Sequence, residues 1–145
     1  MSDLYLLFSH ELTEPQKREA YAELAIREIH CLPDDLKELW SQIPPEIPEV
    51  AGYLQPILEW LDNQIQEGDY ILIQGDFGAT FLMVQWAFAR NYRPIYATTR
   101  RKVIEVCNDH EIITNRVFEH IKFRLYEKLR GDKIQCGVCC RPPIA

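Results

Sequence analysis

The sequence lacks the features that mark several large classes of protein. No apolar run approaches the roughly 20 residues that a membrane-spanning helix needs. The start, Met1-Ser2-Asp3-Leu4, has neither the basic residues nor the apolar stretch and cleavage site of a signal peptide. We therefore expect a cytoplasmic protein without membrane contact.

Recognisable catalytic and metal-binding motifs are missing as well. There is no GxGxxG or Walker phosphate loop, no Ser-His-Asp or Cys-His pair at a recognisable spacing, and no carboxylate cluster for magnesium. The five cysteines are odd in number, which argues against a disulfide framework in a cytoplasmic chain. Cys136, Cys139 and Cys140 resemble half of a zinc site, but no second pair of ligands completes it, so a reduced tail is the favoured interpretation. We predict no metal and no cofactor.

Charge is distributed unevenly along the chain. The net charge is −6, but residues 1–92 carry 5 Lys/Arg and 16 Asp/Glu, whereas residues 93–145 carry 11 and 6. The overall acidity argues against binding long nucleic acid through a broad basic face. The basic C-terminal part leaves room for a local site for a small anion, although accidental surface charge explains the asymmetry equally well.

Short apolar runs alternate with segments of helical periodicity. Thr13 with Gln16 three residues later is a capping-box pattern that starts the first helix. The alternation predicts an α/β fold, Rossmann-like, with a mainly parallel sheet and flanking helices. One domain should cover residues 1–130, with a flexible tail at 131–145. The predicted strands of the parallel part are 4–8, 27–32, 70–73 and 93–98.

The C-terminal third is harder to interpret. Residues 101–106 resemble another strand, and residues 107–110 a turn. Residues 117–126 fit either a strand or a helix, and we favour a strand that pairs back as a C-terminal hairpin. On such a strand one face would carry a polar, basic stripe edged by aromatic rings: Phe118, His120, Lys122, Arg124 and Tyr126.

The strongest local signal for a binding site follows the strand at 70–73. Glycines let the backbone turn sharply or approach a ligand, and the first N–H groups of the following helix suit a phosphate. The competing interpretation is a tight turn in which the aspartate caps the helix. The residues of this loop are Gln74, Gly75, Asp76, Phe77, Gly78 and Ala79.

Two further segments should meet this loop at the same edge of the sheet, because the carboxyl ends of parallel strands lie together. One is Thr98-Thr99-Arg100-Arg101, whose hydroxyl and guanidinium groups suit phosphate oxygens unless the segment is only a solvated turn. The other is Ser9-His10, at the end of the first strand. His120 could act as an acid or base, although a structural role is the more common one for a single histidine.

Several of these segments together resemble a known family, the CRISPR-associated Csx family twenty. The resemblance spans about residues 4 to 127, and the motifs occur in the family's order. They are Leu6-Leu7-Phe8-Ser9-His10-Glu11-Leu12-Thr13, Leu39-Trp40-Ser41-Gln42-Ile43-Pro44-Pro45, residues 68–79, residues 96–101 and residues 118–126.

The resemblance implies a ring nuclease of type III CRISPR antiviral defence. Such an enzyme opens a cyclic oligoadenylate messenger, here cyclic tetra-adenylate, by metal-independent attack of a ribose 2′-hydroxyl, and so switches the response off. It also implies a homodimer. The expected catalytic residues are Arg100, His120 and Lys122. The expected ligand-binding residues are Ser9, His10, Gln74, Gly75, Asp76, Phe77, Gly78, Ala79, Thr98, Thr99, Arg101 and Arg124. The alternative is a binding protein of the same system, a sponge or sensor, that holds the messenger without cutting it.

Overall fold

The computed structural model of the protein describes residues 1–129 and 131. Within this part the chain forms four helices and a sheet of five strands. The strands are β1 (Ser2–Leu7), β2 (Ile26–His30), β3 (Tyr70–Ile73), β4 (Arg93–Asn108) and β5 (Glu111–Leu125). The helices are α1 (Glu14–Ala22), α2 (Asp34–Ser41), α3 (Gln55–Asp62) and α4 (Phe77–Ala89). The expected tail at 131–145, with Cys136, Cys139 and Cys140, lies outside the described residues except for Gly131.

The strand order is β2-β1-β3-β4-β5. The first three pairings are parallel, and β4 pairs with β5 antiparallel. The α/β class, the mainly parallel sheet with flanking helices, and the C-terminal hairpin are therefore confirmed. From β1 the chain runs through α1 to β2, which lies beside β1 at one edge of the sheet. It then runs through α2 and α3 to β3, which lies on the other side of β1. The connections that leave β1 and enter β3 therefore diverge between these two strands.

Helices cover both faces of the sheet, so its central strands are apolar on both sides. On one face, Tyr5, Leu7 and Ile73 pack with residues of α2, α3 and α4. On the other face, Leu4, Leu6 and Leu72 pack with residues from the region of α1. We call these the α4 face and the α1 face.

The first helix begins as the sequence predicts. The Thr13 hydroxyl accepts a hydrogen bond from the Gln16 N–H at 3.4 Å, and the Gln16 side chain accepts one from the Thr13 N–H at 2.9 Å. These reciprocal bonds satisfy two N–H groups that a helix start otherwise leaves open. These bonds set the start of α1, which follows the end of β1 after a short connection.

The fourth strand corrects the predicted turn at residues 98–101. Instead of two strands separated by a loop, β4 runs without a break from Arg93 to Asn108. Its pairing with β5 continues to Asn108 opposite Glu111, where Asp109 and His110 make the turn. Residues 99–118 form a two-stranded ribbon that extends past the other strands, and we call it the arm. Its side chains are exposed throughout.

The fifth strand contains one extra residue, which corrects the predicted basic stripe. Thr98 is opposite Lys122 and Thr99 is opposite His120, so Ile121 has no partner residue. Such a bulge reverses the faces of all residues beyond it. Lys122, Arg124 and Tyr126 therefore share the α4 face, whereas Phe118 and His120 lie on the α1 face.

Candidate functional site

A crevice opens where β1 and β3 end. It has a volume of about 260 Å³, and Ser9, Gly75 and Asp76 line it together with Trp40, Ser41 and Ile43 of α2 and the turn after it. The separation of the two connections at this point leaves such a crevice in open α/β sheets, and ligands bind there. The structure thus brings together the predicted Ser9, Gly75 and Asp76.

A second, larger cavity adjoins the ends of β1 and β2. Its volume is about 490 Å³, and it holds the predicted His10. The His10 ring makes an edge contact with Phe8, with centroids 5.3 Å apart. Lys17 and Lys37 reach the same cavity from α1 and α2. The carboxylates of Glu11 and Asp34 line it too, so the cavity holds charges of both signs beside the histidine. Sequence reasoning missed both lysines, because neither lies in a strand-end motif.

The start of α4 corrects one expected anion contact. The Asp76 carboxylate accepts a hydrogen bond from the Ala79 N–H at 3.0 Å and caps the helix. Ala79 is itself fully buried, so it is not available to a ligand. The capping interpretation of this loop is therefore confirmed, and the carboxylate adds negative charge where a phosphate would bind. Phe77 and Gly78, in the first turn, remain exposed.

Gln74 supports the crevice rather than lining it. Its side-chain oxygen accepts a hydrogen bond from the Ala97 N–H at 2.8 Å, and its backbone carbonyl accepts one from Trp40 Nε1 at 3.0 Å. These bonds tie the end of β3 to β4 on one side and to α2 on the other. Sequence reasoning did not select Trp40 as a site residue, although it lies in one of the motifs that carry the resemblance.

Gly75 allows α2 to approach the strand end. A Cβ at this position would lie 2.7 Å from Trp40 Nε1 and 2.8 Å from its Cε2. No side chain fits at that distance, so glycine is required by the close approach of the indole. The close approach also narrows the crevice between Trp40 and Asp76.

A basic surface lies on the α4 face of the hairpin. Lys122 is opposite Thr98, whose hydroxyl bonds the Lys122 carbonyl at 2.8 Å. Arg100 follows Thr98 on the same face, because alternate residues of a strand point the same way. Arg124 donates to the Tyr96 hydroxyl at 2.9 Å and lies over its ring. The Ala97 N–H donates a hydrogen bond to the side chain of Gln74, the residue that follows β3. The basic surface, which starts at Tyr96 and Thr98, therefore begins beside the carboxyl end of β3.

Tyr126 joins this basic surface to the sheet. Its hydroxyl donates to the Ile73 carbonyl at 2.7 Å, and its ring contacts Tyr96 with centroids 4.7 Å apart. Burial raises the pKa of Tyr126 above its usual range, so the phenol stays protonated and keeps donating.

His120 lies on the opposite face and is engaged there. Its Nε2 is 2.6 Å from Glu19 Oε1, and only 7% of the His120 side chain is exposed. The other carboxylate oxygen of Glu19 accepts from the Phe123 N–H at 2.7 Å. This contact holds α1 against the bulge in β5, and it separates His120 from Lys122 and Arg100. The predicted catalytic set is therefore divided between two faces.

Thr99 and Arg101 also lie on the α1 face of the hairpin. Thr99 is opposite His120 in the pairing, and the Arg101 guanidinium lies 5.7 Å from the centre of the Phe118 ring. Both residues are exposed. Neither belongs to the surface that Arg100, Lys122 and Arg124 form.

A separate charged cluster joins β1 and β2. Arg27 donates two hydrogen bonds to the Asp3 carboxylate, at 2.9 and 2.8 Å, and His30 Nε2 lies 3.0 Å from it. Hydrogen bonding to Arg27, opposed by burial and assisted by His30, lowers the pKa of Asp3 to about 2. Glu28 lies nearby, and one carboxylate oxygen each of Asp3 and Glu28 and one ring nitrogen of His30 lie within 4.8 Å of one another. Because Arg27 already neutralises Asp3, the cluster acts as a structural ion pair.

No helix in the described residues is both long and apolar enough to cross a membrane. No solved structure gives a significant match to the chain. A protein of Methanocaldococcus jannaschii, described as uncharacterized protein MJ1673, is 47% identical over 126 residues, which cover 87% of this chain and 98% of that protein. The sequence profile of the family described as the uncharacterized protein MJ1673 family matches residues 2–124. The chain therefore belongs to the MJ1673 family.

Proposed function

We propose that the protein is a cytoplasmic ring nuclease that binds a cyclic oligoadenylate, with cyclic tetra-adenylate favoured, and opens it without a metal ion. The observation that carries the proposal is the meeting of Ser9, Gly75 and Asp76 in the crevice between β1 and β3, beside a basic surface. A Rossmann-like fold would support the crevice between β1 and β3 as the binding site, because ligands of such folds bind where the connections diverge.

The two parts of the site suit different parts of the ligand. The guanidinium and ammonium groups of Arg100, Lys122 and Arg124 suit phosphodiester oxygens. The cavity beside the crevice offers Phe8 and Tyr21 together with the exposed His10, a mixture suited to a base and a ribose. The messenger would span from the cavity to the basic surface, with the crevice between them.

The chemistry needs a proton acceptor and charge stabilisation, and no redox partner. The ribose 2′-oxygen attacks the adjacent phosphorus, a bond from O2′ to phosphorus forms, and the bond from phosphorus to O5′ breaks. The 2′-hydroxyl proton goes to a base and the 5′-oxygen gains a proton, which leaves a 2′,3′-cyclic phosphate and a free 5′-hydroxyl. His10 suits the proton transfer better than His120, which Glu19 engages, and Lys17 and Lys37 of the same cavity suit the charge of the reacting phosphoryl group. Arg100 and Lys122 lie on the far side of the sheet from β1, and they suit the other phosphates of the ring.

The test is incubation with cyclic tri-, tetra- and hexa-adenylate in EDTA, followed by chromatographic analysis of products. We expect a linear product that ends in a 2′,3′-cyclic phosphate. His10→Ala should slow cleavage by about 100-fold or more at saturating ligand, whereas Lys122→Ala should mainly weaken binding of the ring. His110→Ala, at the exposed turn of the arm, is the matched control and should retain the rate. Activity that EDTA abolishes and a divalent ion restores would contradict the metal-free mechanism.

One observation favours a second function, which is binding without cleavage. The contact between His120 and Glu19 removes the predicted catalytic histidine from the basic surface, while the groups able to hold phosphates remain on it. The protein would then act as a sponge or sensor for the messenger. Stoichiometric binding with no product after a single-turnover incubation would support this function over the nuclease.

A further inference from the structure

The outer side of α4 exposes aromatic side chains beside the crevice. Phe77 is 94% exposed and Phe81 is 62% exposed. Together with Val84 and Phe88 of the same helix, they line a groove of about 730 Å³ between α4 and the segment that follows β5. We call it the α4 groove. Concave sites with mainly apolar walls and a few polar groups are typical of small-molecule ligands.

Helical spacing arranges part of this wall in a row. Phe77, Phe81 and Gln85 are four residues apart, so neighbouring members of the row have Cβ atoms about 5–6 Å apart on one side of α4. All three side chains line the groove and are exposed. Helix α4 carries no charged residue. The row therefore offers two aromatic rings followed by one amide, which can both donate and accept hydrogen bonds.

The α4 groove continues into the basic surface of the hairpin. Tyr126 lines the groove, and the centre of its ring is 4.7 Å from that of Tyr96. The Arg124 guanidinium lies 5.5 Å from the centre of the Tyr96 ring and donates to its hydroxyl. Lys128 and Glu127 line the groove as well, and the Lys128 ammonium lies 5.1 Å from the centre of the Phe88 ring. Aromatic rings and positive charges thus meet on one continuous surface.

This combination suits a nucleotide better than a purely apolar ligand. A base stacks on aromatic rings, and its phosphate binds guanidinium and ammonium groups. An acyl chain would use the rings and leave the cations unpaired. Among the bases, adenine fits the row, because a glutamine amide can donate to N7 and accept from the N6 amine at the same time.

We propose that the α4 groove binds an adenine nucleotide, with the base on Phe77 and Phe81, its edge on the Gln85 amide and its phosphate on Arg124. The inference rests on the proposed function and deepens it, because it gives a second base of the cyclic oligoadenylate a site. The cavity around His10 adjoins β1 and β2, whereas the groove lies beside β4 and β5, beyond β3. Linear oligoadenylate has the same base and phosphate chemistry and would also bind.

The first test is the affinity of full-length His10→Ala protein, in which cleavage is slow, for cyclic and for linear tetra-adenylate by titration calorimetry. Adding Phe77→Ala with Phe81→Ala should raise both dissociation constants by about 10-fold or more, because base stacking is lost. Neither ring belongs to the two apolar cores, so the variant should fold. Phe118→Ala is the matched control, because that ring is 66% exposed but lies on the α1 face. An effect on the cyclic ligand alone would assign the groove to the messenger rather than to its linear product.

The second test concerns the edge of the base. Linear tetra-inosinate carries a carbonyl oxygen where adenine carries the N6 amine. The preference of the protein for linear tetra-adenylate over tetra-inosinate should fall by about 5-fold or more in Gln85→Leu. An unchanged preference would mean that Gln85 does not contact the base, which would overturn its part of the proposal.

The third test separates the groove from ring cleavage. Adenosine monophosphate should shift the amide signals of Phe81 and Gln85 in NMR spectra of the full-length protein, and ribose 5-phosphate should not. These shifts would persist even if the protein opened no ring, in which case the proposed function alone would fail. Conversely, cleavage with dissociation constants that the Phe77 and Phe81 substitutions leave unchanged would overturn the groove as a base site. Adenosine monophosphate that shifts signals only around His10 would overturn it too and would leave the groove to a peptide or an apolar ligand.

Discussion

Gly75 and Gly78 lie three residues apart, yet their surroundings differ enough to predict opposite effects of alanine. At Gly75 the new Cβ would meet the Trp40 indole at 2.7 to 2.9 Å, and at Gly78 it would meet only Asp76 Oδ2 at 3.5 Å. Gly75→Ala should therefore lower the free energy of unfolding by about 1–3 kcal/mol. Gly78→Ala should be neutral or raise it by about 0.5 kcal/mol, because alanine favours the helix.

Urea unfolding of the two glycine variants and the unmodified protein provides the measurement. Tryptophan fluorescence should also change in Gly75→Ala, because Trp40 must move away from the Gln74 carbonyl that its Nε1 now bonds. Equal stability of the two variants would show that α2 does not approach the end of β3 as closely as described.

Asp3 predicts a dependence of stability on pH. Its pKa is lowered from 3.8 to about 2, chiefly by the hydrogen bonds from Arg27. A carboxylate with a lowered pKa in the folded state contributes its full stabilisation when the pH is above its ordinary pKa. For Asp3 this contribution is lost as the pH falls from about 4 to about 2. Arg27 is 64% exposed, so solvent screening reduces the contribution to about 1 kcal/mol.

The measurement compares Asp3→Asn with the unmodified protein by urea unfolding at pH 7 and at decreasing pH. We expect the difference in unfolding free energy to be largest at pH 7 and to shrink through the interval below pH 4. Glu14→Gln is a suitable control, because Glu14 is 75% exposed and forms only a surface pair with Lys17. A difference for Asp3→Asn that stays constant with pH would contradict the ion pair as its cause.

At the scale of elements, the bulge in β5 decides which side chains can act together. The unpaired Ile121 places His120 next to Phe123, with ring centroids 5.0 Å apart, and away from Lys122. The bulge also brings the Phe123 N–H and the His120 ring to the same carboxylate. Glu19 is thus the contact through which α1 fixes the local geometry of the hairpin.

Glu19→Ala should consequently loosen the junction between α1 and β5. The substitution leaves a largely buried histidine and a backbone N–H without their acceptor, which should cost about 1–3 kcal/mol. Amide hydrogen exchange at Phe123 should accelerate, and urea unfolding gives the change in stability. Glu23→Ala, at an exposed position just after α1, is the matched control. Unchanged exchange at Phe123 would mean that Glu19 does not hold the bulge.

Local sequence patterns predicted most elements but not the path of the hairpin. The run Tyr70-Ile71-Leu72-Ile73 matches β3 at both ends, and Thr13 with Gln16 marks the start of α1. The segment at 98–101 resembles a loop because it is polar, but it is a strand whose polar side chains are solvated on both faces. A polar sequence indicates that side chains are exposed to solvent. On a two-stranded ribbon that extends past the sheet, strand residues are exposed as well, so polarity does not distinguish a strand from a turn.

The candidate site was predictable as far as strand ends determine it. Ser9, Gly75 and Asp76 meet because they follow adjacent parallel strands, which is a property of the topology. The face of the sheet on which His120 lies was not predictable. The unpaired Ile121 leaves no pattern in the local sequence, yet it moves the side chains beyond it to the opposite face. Lys17 and Lys37 were missed since they reach the cavity from helices, where spacing alone does not identify the rim.

At the scale of the whole molecule, the arm and the body behave as separable parts. Every residue from 101 to 118 is exposed, so the arm contributes nothing to the two apolar cores. The stability of the body should therefore be independent of the arm.

Shortening the arm tests this separation. Replacing residues 102–117 by Asn-Gly joins Arg101 to Phe118, which are opposite each other in the pairing, through a turn that suits a two-residue hairpin loop. The shortened protein should fold with a midpoint of thermal unfolding within a few degrees of that of the unmodified protein, because the removed residues belong to neither core. Thermal unfolding followed by circular dichroism gives both midpoints. If the shortened protein failed to fold, or unfolded at a much lower temperature, the arm would be part of the core rather than an extension of it.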